Sequence, residues 1–373
     1  MILTKTITKN TKFIIFALSV SFAFNSFGCD DILKMDSNNN IKRECAIQDR
    51  YRKVKAIFNN YNLDINEVSE YRAIRFIDRY SWNKNIYAGN PFPRWIYKPM
   101  PTTWDVWNNG IKLLFENKKN YPENLLNLNY ISYMNKVLLT DGKTSIKDLN
   151  TADLKPGKIR KTIFGPDVGF CSKANKHSTN KLLRSIKTAS QSYMKSWEVK
   201  AGITIKKLVK EYKGKSSRKA DLVTGMILRS NTCKSGKGNF LYYVSSNKVK
   251  RKLNWLNIFL HYNLDKYSQG KVIIPPIELA AIIQKIFVSI HPFADGNGRT
   301  SRALQNMILE KMDMPFAPAG DLQNDVLEKP IIYVDNTYLK TESMLTFLES
   351  CADNLINENV QDVRCKPYYQ LVK

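Results

Sequence analysis

Apolar residues recur three and four positions apart over most of this chain, the spacing of a buried helix face. The pattern predicts helices at about 41–61, 66–80, 104–116, 125–139 and 249–262, and no alternating strand pattern competes with them. The densest segment is 277–290, where Leu279, Ala280, Ala281, Ile282, Ile283, Ile286, Phe287, Val288 and Ile290 leave only Glu278, Gln284, Lys285 and Ser289 polar. A helix apolar on nearly all sides belongs inside a core. A helical period resumes over 300–312, with Ala303, Leu304, Met307, Ile308 and Met312 near one face, and a last helix is expected at 336–354. The stretch 90–103 holds four prolines beside Phe92, Trp95 and Tyr97 and reads as an extended connector, while 239–244 is a short β-prone run.

Between the two strongest helices lies His291-Pro292-Phe293-Ala294-Asp295-Gly296-Asn297-Gly298-Arg299-Thr300-Ser301-Arg302. The first turn of the second helix leaves backbone N–H groups without helical partners and carries the positive end of the helix dipole, so it can hold an anion. Gly296 and Gly298 let a ligand come close to the backbone. Arg299 and Arg302 stand three apart and can reach one polyphosphate. Asp295, among cationic groups, stays ionised and can share a divalent metal with the phosphates. His291 can take a proton from a hydroxyl near neutral pH. Together these parts describe metal-assisted phosphoryl or nucleotidyl transfer to an alcohol. No Gly-Lys-Ser/Thr follows the glycines, so this is not a Walker-type loop.

The order His291 to Arg302 resembles the signature of the Fic (filamentation induced by cAMP) family, His-Pro-Phe-x-Asp/Glu-Gly-Asn-Gly-Arg-x-x-Arg, with no fixed position changed. The resemblance extends to Pro156-Gly157-Lys158-Ile159-Arg160, which in the family leads into a β-hairpin flap over the active site. It resumes, after an interruption, at 239–244. The resemblance implies an all-α fold: a Fic-like helical core with a small β-hairpin flap, plus an N-terminal helical region and a basic insertion. The Fic-like domain is placed at 125–354 with the insertion at 172–235, after an N-terminal region at 29–124 and before a tail at 355–373.

Composition adds charge and an address. The formal net charge is +25; Asn, Lys and Ile are abundant, a bias that an AT-rich genome also produces, so charge alone ranks partners weakly. Lys5, Lys9 and Lys12 precede an apolar run at 13–24 and the small residues Ser26 and Gly28, a pattern expected of a signal peptide over 1–28. Cys29 directly after Gly28 also resembles a bacterial lipoprotein acceptor, so an exported chain could be secreted or lipid-anchored. The six cysteines permit disulfides in such a compartment. With three histidines and no CxxC pair, a structural zinc site is not indicated. Within the basic stretch, Ile203, Ile205, Leu208 and Val209 among Lys206, Lys207, Lys210 and Lys213 suggest an amphipathic helix. Its lysines are either a solvated face or a patch for an acidic partner or anionic membrane; no nucleic-acid motif accompanies them.

The resemblance implies a protein adenylyltransferase that moves AMP from ATP, with Mg2+, to a Ser, Thr or Tyr hydroxyl of a protein target, here expected to be a host protein. His291, Asp295, Asn297 and Arg299 then carry the chemistry, His291 as general base and Asp295 as the Mg2+ ligand. Phe293, Gly296, Asn297, Gly298, Arg299 and Arg302 form the nucleotide site, with Arg302 on the terminal phosphate. Gly298 stands where phosphorylating relatives tend to carry Lys, which leans toward nucleotidyl transfer. A UMP or phosphocholine donor, or a non-catalytic nucleotide-sensing adaptor, are the alternatives. Family members are often restrained by a helix bearing Ser/Thr-x-x-x-Glu; the nearest match here is 354–359, with Glu358 as its acid.

Overall fold

The computed structural model describes residues 39–63, 65, 109–115, 124–142, 155–161, 169–170, 176–214, 220–223, 227–233, 236–319, 322–357 and 365. The helices expected at 66–80 and the connector at 90–103 lie outside them, as do the signal segment and Glu358. The described chain is mostly helical, in the order α1 (Asn39–Asn60), a helical stretch at 109–115, α2 (Leu128–Thr140), β1 (Gly169–Phe170), α3 (Lys176–Ala201), α4 (Ile205–Lys213), β2 (Ile227–Cys233), β3 (Gly236–Tyr242), α5 (Ser246–Ser268), α6 (Pro276–Ile290), α7 (Asn297–Lys311), α8 (Leu322–Leu327) and α9 (Pro330–Ile356).

As its composition requires, α6 runs through the centre: every residue but Glu278 and Ile286 is buried. It packs on α5, α7 and α9, and its apolar side chains join those of α1, α2, α3 and α4 in one core. Each such side chain contributes roughly 1.5–3 kcal/mol by leaving water. Phe58, Phe115, Phe259, Phe287, Phe293 and Tyr338 are among its largest wholly buried members.

The three strands form one antiparallel sheet in the order β1-β3-β2. β2 and β3 are a hairpin, Ile227 opposite Tyr242 and Cys233 opposite Gly236, and β1 adds to the far side of β3 with Gly169 opposite Phe240. The chain between β1 and β2, which holds α3 and α4, is therefore threaded between strands of one sheet. It is not an appendage. Met194 and Trp197 of α3 and Ile205, Leu208 and Val209 of α4 enter the main core, and the Trp197 indole N–H donates to Asn263 Oδ1 at 3.1 Å. The amphipathic helix expected in the basic stretch is α4, capped by the Thr204 hydroxyl on the Lys207 N–H and ended by Gly214 in a left-handed conformation. Lys206, Lys207, Lys210 and Lys213 face solvent.

Two long-range devices hold α6 and α9 in place. α1 and α9 run side by side in the same direction, with Arg43 on Glu342 and Arg50 on Glu349, both pairs two-pronged and seven residues apart on each helix. At the other, the buried Glu44 carboxyl accepts the N–H of Ile277 at 2.9 Å, that of Glu278 at 3.4 Å and the Tyr338 hydroxyl at 2.5 Å. Pro276 opens α6 and has no N–H of its own, so Glu44 serves the first donors the helix exposes. Cys351 and Cys365 form a disulfide that ties the tail back to α9, with Cα atoms 5.4 Å apart. The final helix begins at Pro330, six residues before the expected start, because the proline occupies the first turn.

Burial pushes the Glu44 carboxyl up to about 8, with the hydrogen bonds from Tyr338 and the α6 backbone acting the other way. Its second oxygen, Oε2, is buried without a hydrogen-bond partner. A carboxyl that stays protonated longer in the folded chain than its ordinary 4.5 stabilises fully below 4.5 and loses that contribution as pH rises through about 8. Glu44→Gln should flatten this slope in urea unfolding measured across that window. Glu44→Ala, which strands three donors, should cost roughly 3 kcal/mol at any pH; a smaller loss for Ala than for Gln would contradict the capping role.

Candidate functional site

The site is the turn from α6 to α7. His291 is the first residue beyond α6 and takes a left-handed conformation, φ 52° and ψ 65°, that a non-glycine residue adopts only at a cost of about 1 kcal/mol. What holds it there is Arg160. The buried guanidinium donates from Nε to His291 O at 2.5 Å and from Nη2 to Ile290 O at 3.3 Å and to Val244 O, while the Arg160 N–H donates to Pro292 O at 2.9 Å. A helix end leaves carbonyls without partners. One side chain from the Pro-Gly-Lys-Ile-Arg segment collects them and joins them to the chain leaving β3.

The rest of the loop is closed by amides. Asn297 accepts the Phe293 N–H at Oδ1 and donates from Nδ2 to Phe293 O, both at 2.9 Å, so its buried side chain latches the loop. Its backbone N–H, at the opening of α7, is not spent on this latch. Phe293, counted above in the nucleotide site, is fully buried against Phe287, their ring centres 6.5 Å apart, so its side chain packs beneath the loop and faces no open site. Asn135, wholly buried on α2, donates to Asp295 O at 3.0 Å and Thr300 Oγ1 at 3.2 Å, and accepts the Gly157 N–H at 2.8 Å. Gly296 has φ +74°, and a Cβ there would meet Asn135 Nδ2 at 2.8 Å and Leu139 at 3.2 Å. The glycine is thus required first by the approach of α2. Gly296 caps α7, which begins at Asn297 instead of the expected 300, so Asn297, Gly298 and Arg299 make up its first turn.

The ionisable groups divide between the open and the closed side. Asp295 and Arg299 are partly exposed and 3.9 Å apart, Asp295 also accepting the Gly296 N–H at 2.6 Å. Mg2+ is commonly held by one or two carboxylates with substrate phosphates supplying the rest, and Asp295 fits that part. Arg302 is buried and meets Asp325 Oδ2 at 3.3 Å; Asp325 Oδ1 accepts the Tyr333 hydroxyl at 3.1 Å. Burial raises Asp325, with Arg302, Lys340, Tyr333 and Lys285 opposing it. The acid that reaches Arg302 among the described residues therefore comes from α8.

His291 lies beneath Tyr243, the rings stacked 3.8 Å apart and 10° from parallel. Nδ1 is 3.3 Å from Val288 O, and a carbonyl only accepts, so this contact puts the proton on Nδ1 and leaves a lone pair on Nε2. Nε2 is buried and has no hydrogen-bond partner. Burial, then the charge of Arg160, lowers the imidazole to about 3, against Val288 and Asp295. The ring is neutral at pH 7.

Residues 204–309 match the family model described as the Fic/DOC family. The chain carries a Fic/DOC-family domain. The span of the Fic match contains α4, the hairpin, α5, α6 and the whole of His291 to Arg302, and it begins within the stretch 172–235 taken as an insertion. Over 65 residues, 17% of the chain, it is 42% identical to a "Fido domain-containing protein" of Dictyostelium discoideum, of which this covers 46%. Over 67 residues, 18% of the chain, it is 45% identical to "Protein adenylyltransferase Fic" of Nematostella vectensis, of which this covers 14%. The aligned Fic segment thus spans less than half the length of these relatives. A crystal structure of a Fic domain containing signaling protein from Bacteroides thetaiotaomicron aligns over 83% of this chain and 97% of its own, at TM-score 0.42 and 13% identity.

Three residues that touch the Fic loop escaped the sequence reading. Asn135 could have been found as the lone amide on the apolar face made by Ile131, Met134 and Leu138. Tyr243 is one of several aromatics in a β-prone run, and Asp325 is one of three acids within eight residues of a connecting segment, beside Asp321 and Glu328; neither is marked by local pattern.

Two measurements check the Fic loop. Gly296→Ala should destabilise by roughly 2 kcal/mol, through the left-handed backbone and the Asn135 overlap together. For His291, an unfolded imidazole takes up a proton near 6.5 while the folded one waits until about 3, so the wild type loses stability as pH falls through that window. His291→Asn should lose less there, and parallel urea midpoints for the two proteins from pH 7 to 4 would contradict the buried neutral ring.

Proposed function

We propose that this chain is a protein adenylyltransferase: AMP passes from ATP to a Ser, Thr or Tyr hydroxyl of another protein, and pyrophosphate leaves. The carrying observation is the unbroken His-Pro-Phe-x-Asp-Gly-Asn-Gly-Arg-x-x-Arg loop with the His291 Nε2 lone pair uncommitted. In the reaction the hydroxyl oxygen attacks the α-phosphorus, the bond from that phosphorus to the bridging oxygen of pyrophosphate breaks, and the hydroxyl proton goes to Nε2. An imidazole held near 3 is a weak base alone. A polyphosphate brought against it raises its proton affinity by Coulomb attraction, which matches the basicity to the moment of need. The first-turn N–H groups of α7, with Arg299, would hold phosphate oxygens, and Arg302 would take the terminal one after leaving Asp325. Asp295 is the residue to hold Mg2+, which supplies charge neutralisation on the phosphates.

The names of the relatives support adenylyl transfer, and Gly298 supports it over phosphorylation. An exported site of action is supported by the Cys351–Cys365 disulfide and by Cys45, which is also disulfide-bonded. Because ATP is scarce outside cells, the reading places the work in a host cell or compartment, with a lipid anchor at Cys29 as the rival arrangement. The lysines of α4 would draw acidic host proteins or anionic membranes over long range.

Purified chain given labelled ATP, Mg2+ and host extract should label protein. His291→Ala should bind ATP as the wild type does and lose transfer by at least 100-fold, because a base acts only as the hydroxyl attacks. Arg302→Ala should weaken ATP binding about tenfold, since a phosphate contact acts before the reaction. Equal loss of ATP affinity in both variants would defeat the assignment. Label from UTP or CDP-choline in place of ATP would move the donor, and absence of label from all three would favour a nucleotide-sensing adaptor.

A further inference from the structure

Away from the motif, a cleft of about 450 Å3, its open mouth included, lies among α3, α6, α8 and the segment 222–223. Its walls are mostly apolar, with Ile186 and Met194 on one side and Ile282, Ile286 and Val326 on the other. Three hydroxyls line it, and each has its hydrogen engaged: Ser190 on Ile186 O at 2.8 Å, Ser289 on Lys285 O at 2.8 Å, and Tyr193 on Glu278 at 2.6 Å. The remaining polar group is the ammonium of Lys285.

Lys285 is buried, 5% exposed, and its Nζ makes one hydrogen bond, to Asp325 O at 3.2 Å, with the Tyr333 ring centre 5.1 Å away. It makes no ion pair with any described residue. An ammonium has three N–H donors, so two are left over, and none of the hydroxyls that line the cleft lies within hydrogen-bond distance of them. The carboxylate of Asp325 is taken by Arg302 and Tyr333. Burial lowers the Lys285 ammonium to about 8, opposed by Asp325 and Glu328, so it remains mostly protonated at neutral pH. A buried cation with spare donors and apolar walls calls for an anion that carries hydrocarbon.

We infer that this cleft binds a small amphipathic monocarboxylate, its head group on Lys285 Nζ and its short tail among Met194, Ile282, Ile286 and Val326. One ammonium matches one negative charge. A phosphate dianion would call for a fork of donors, and the cleft presents a single ammonium. The site is separate from the loop at His291–Arg302, and its occupancy is read by binding, independently of any transfer activity. It adjoins the loop through one residue, since the carbonyl that Lys285 meets and the carboxylate that Arg302 meets both belong to Asp325.

The test is calorimetric titration of the full chain with sodium hexanoate, hexan-1-ol and hexylamine. Hexanoate should bind saturably in the millimolar range, at least tenfold tighter than the alcohol, and hexylamine should give no saturable heat. Lys285→Met keeps an unbranched side chain one atom shorter and without charge, and it should weaken hexanoate at least tenfold while leaving the alcohol unchanged. Ile186→Trp fills the cleft from α3 without altering Lys285 and should abolish hexanoate binding, which keeps the proposal testable if Lys285→Met does not fold. Hexylamine binding as well as hexanoate, hexanoate binding indifferent to both substitutions, or no saturable binding up to about 10 mM would each overturn the proposal.

Discussion

Everything at the site depends on satisfying the carboxyl end of one buried helix. α6 stops inside the protein, where water cannot serve its last carbonyls, and His291 must turn left-handed to bring the loop round. Arg160 meets that demand with a single guanidinium, and in doing so it fixes three pieces of chain against each other: its own turn, the exit from β3 and the end of α6. A flat five-donor head can bridge several carbonyls at once where a lysine could not. The position of Tyr243 over His291 follows from this, since Tyr243 precedes the Val244 carbonyl that Arg160 holds.

The amino end of α6 poses the opposite problem and is met by the opposite charge type. Glu44 reaches it from α1, more than two hundred residues away in sequence, and accepts donors where Arg160 donates to carbonyls. The central helix is thus held at both ends by buried side chains from other elements. Its own sequence is almost free of polar residues and could not have done this. The middle of the same helix carries Lys285, whose ammonium leans on α8, so a nearly apolar element still communicates with charged groups along its whole length.

Around the loop, two amides hold the backbone, one from the signature and one from α2. Asn135 and Asn297 spend their side chains on the backbone of the turn, while Asp295 and Arg299 stay partly exposed at the opening of α7. Gly296 is the joint of this arrangement: its left-handed backbone and the nearness of α2 each forbid a side chain. Rigid support beneath and chemistry above is what a site needs if reacting groups are to be held within a fraction of an ångström.

Much of this was legible in the residues alone. The apolar run of 277–290 already implied a core helix, the period after Gly298 implied a second, and the spacing of His291, Asp295, Arg299 and Arg302 implied a loop that presents them together. Such inferences succeed because helical periodicity and turn chemistry are local: each residue's role is set by neighbours within four or five positions. The threading of α3 and α4 between β1 and β2 was not legible, because the pairing of β1 with β3 across about seventy residues leaves no local period. Nor were the contacts of Arg302 with Asp325, of Tyr243 with His291, or of Glu44 with α6. A lone polar residue announces that it needs a partner, but which partner it finds is decided only when packing brings distant elements into contact.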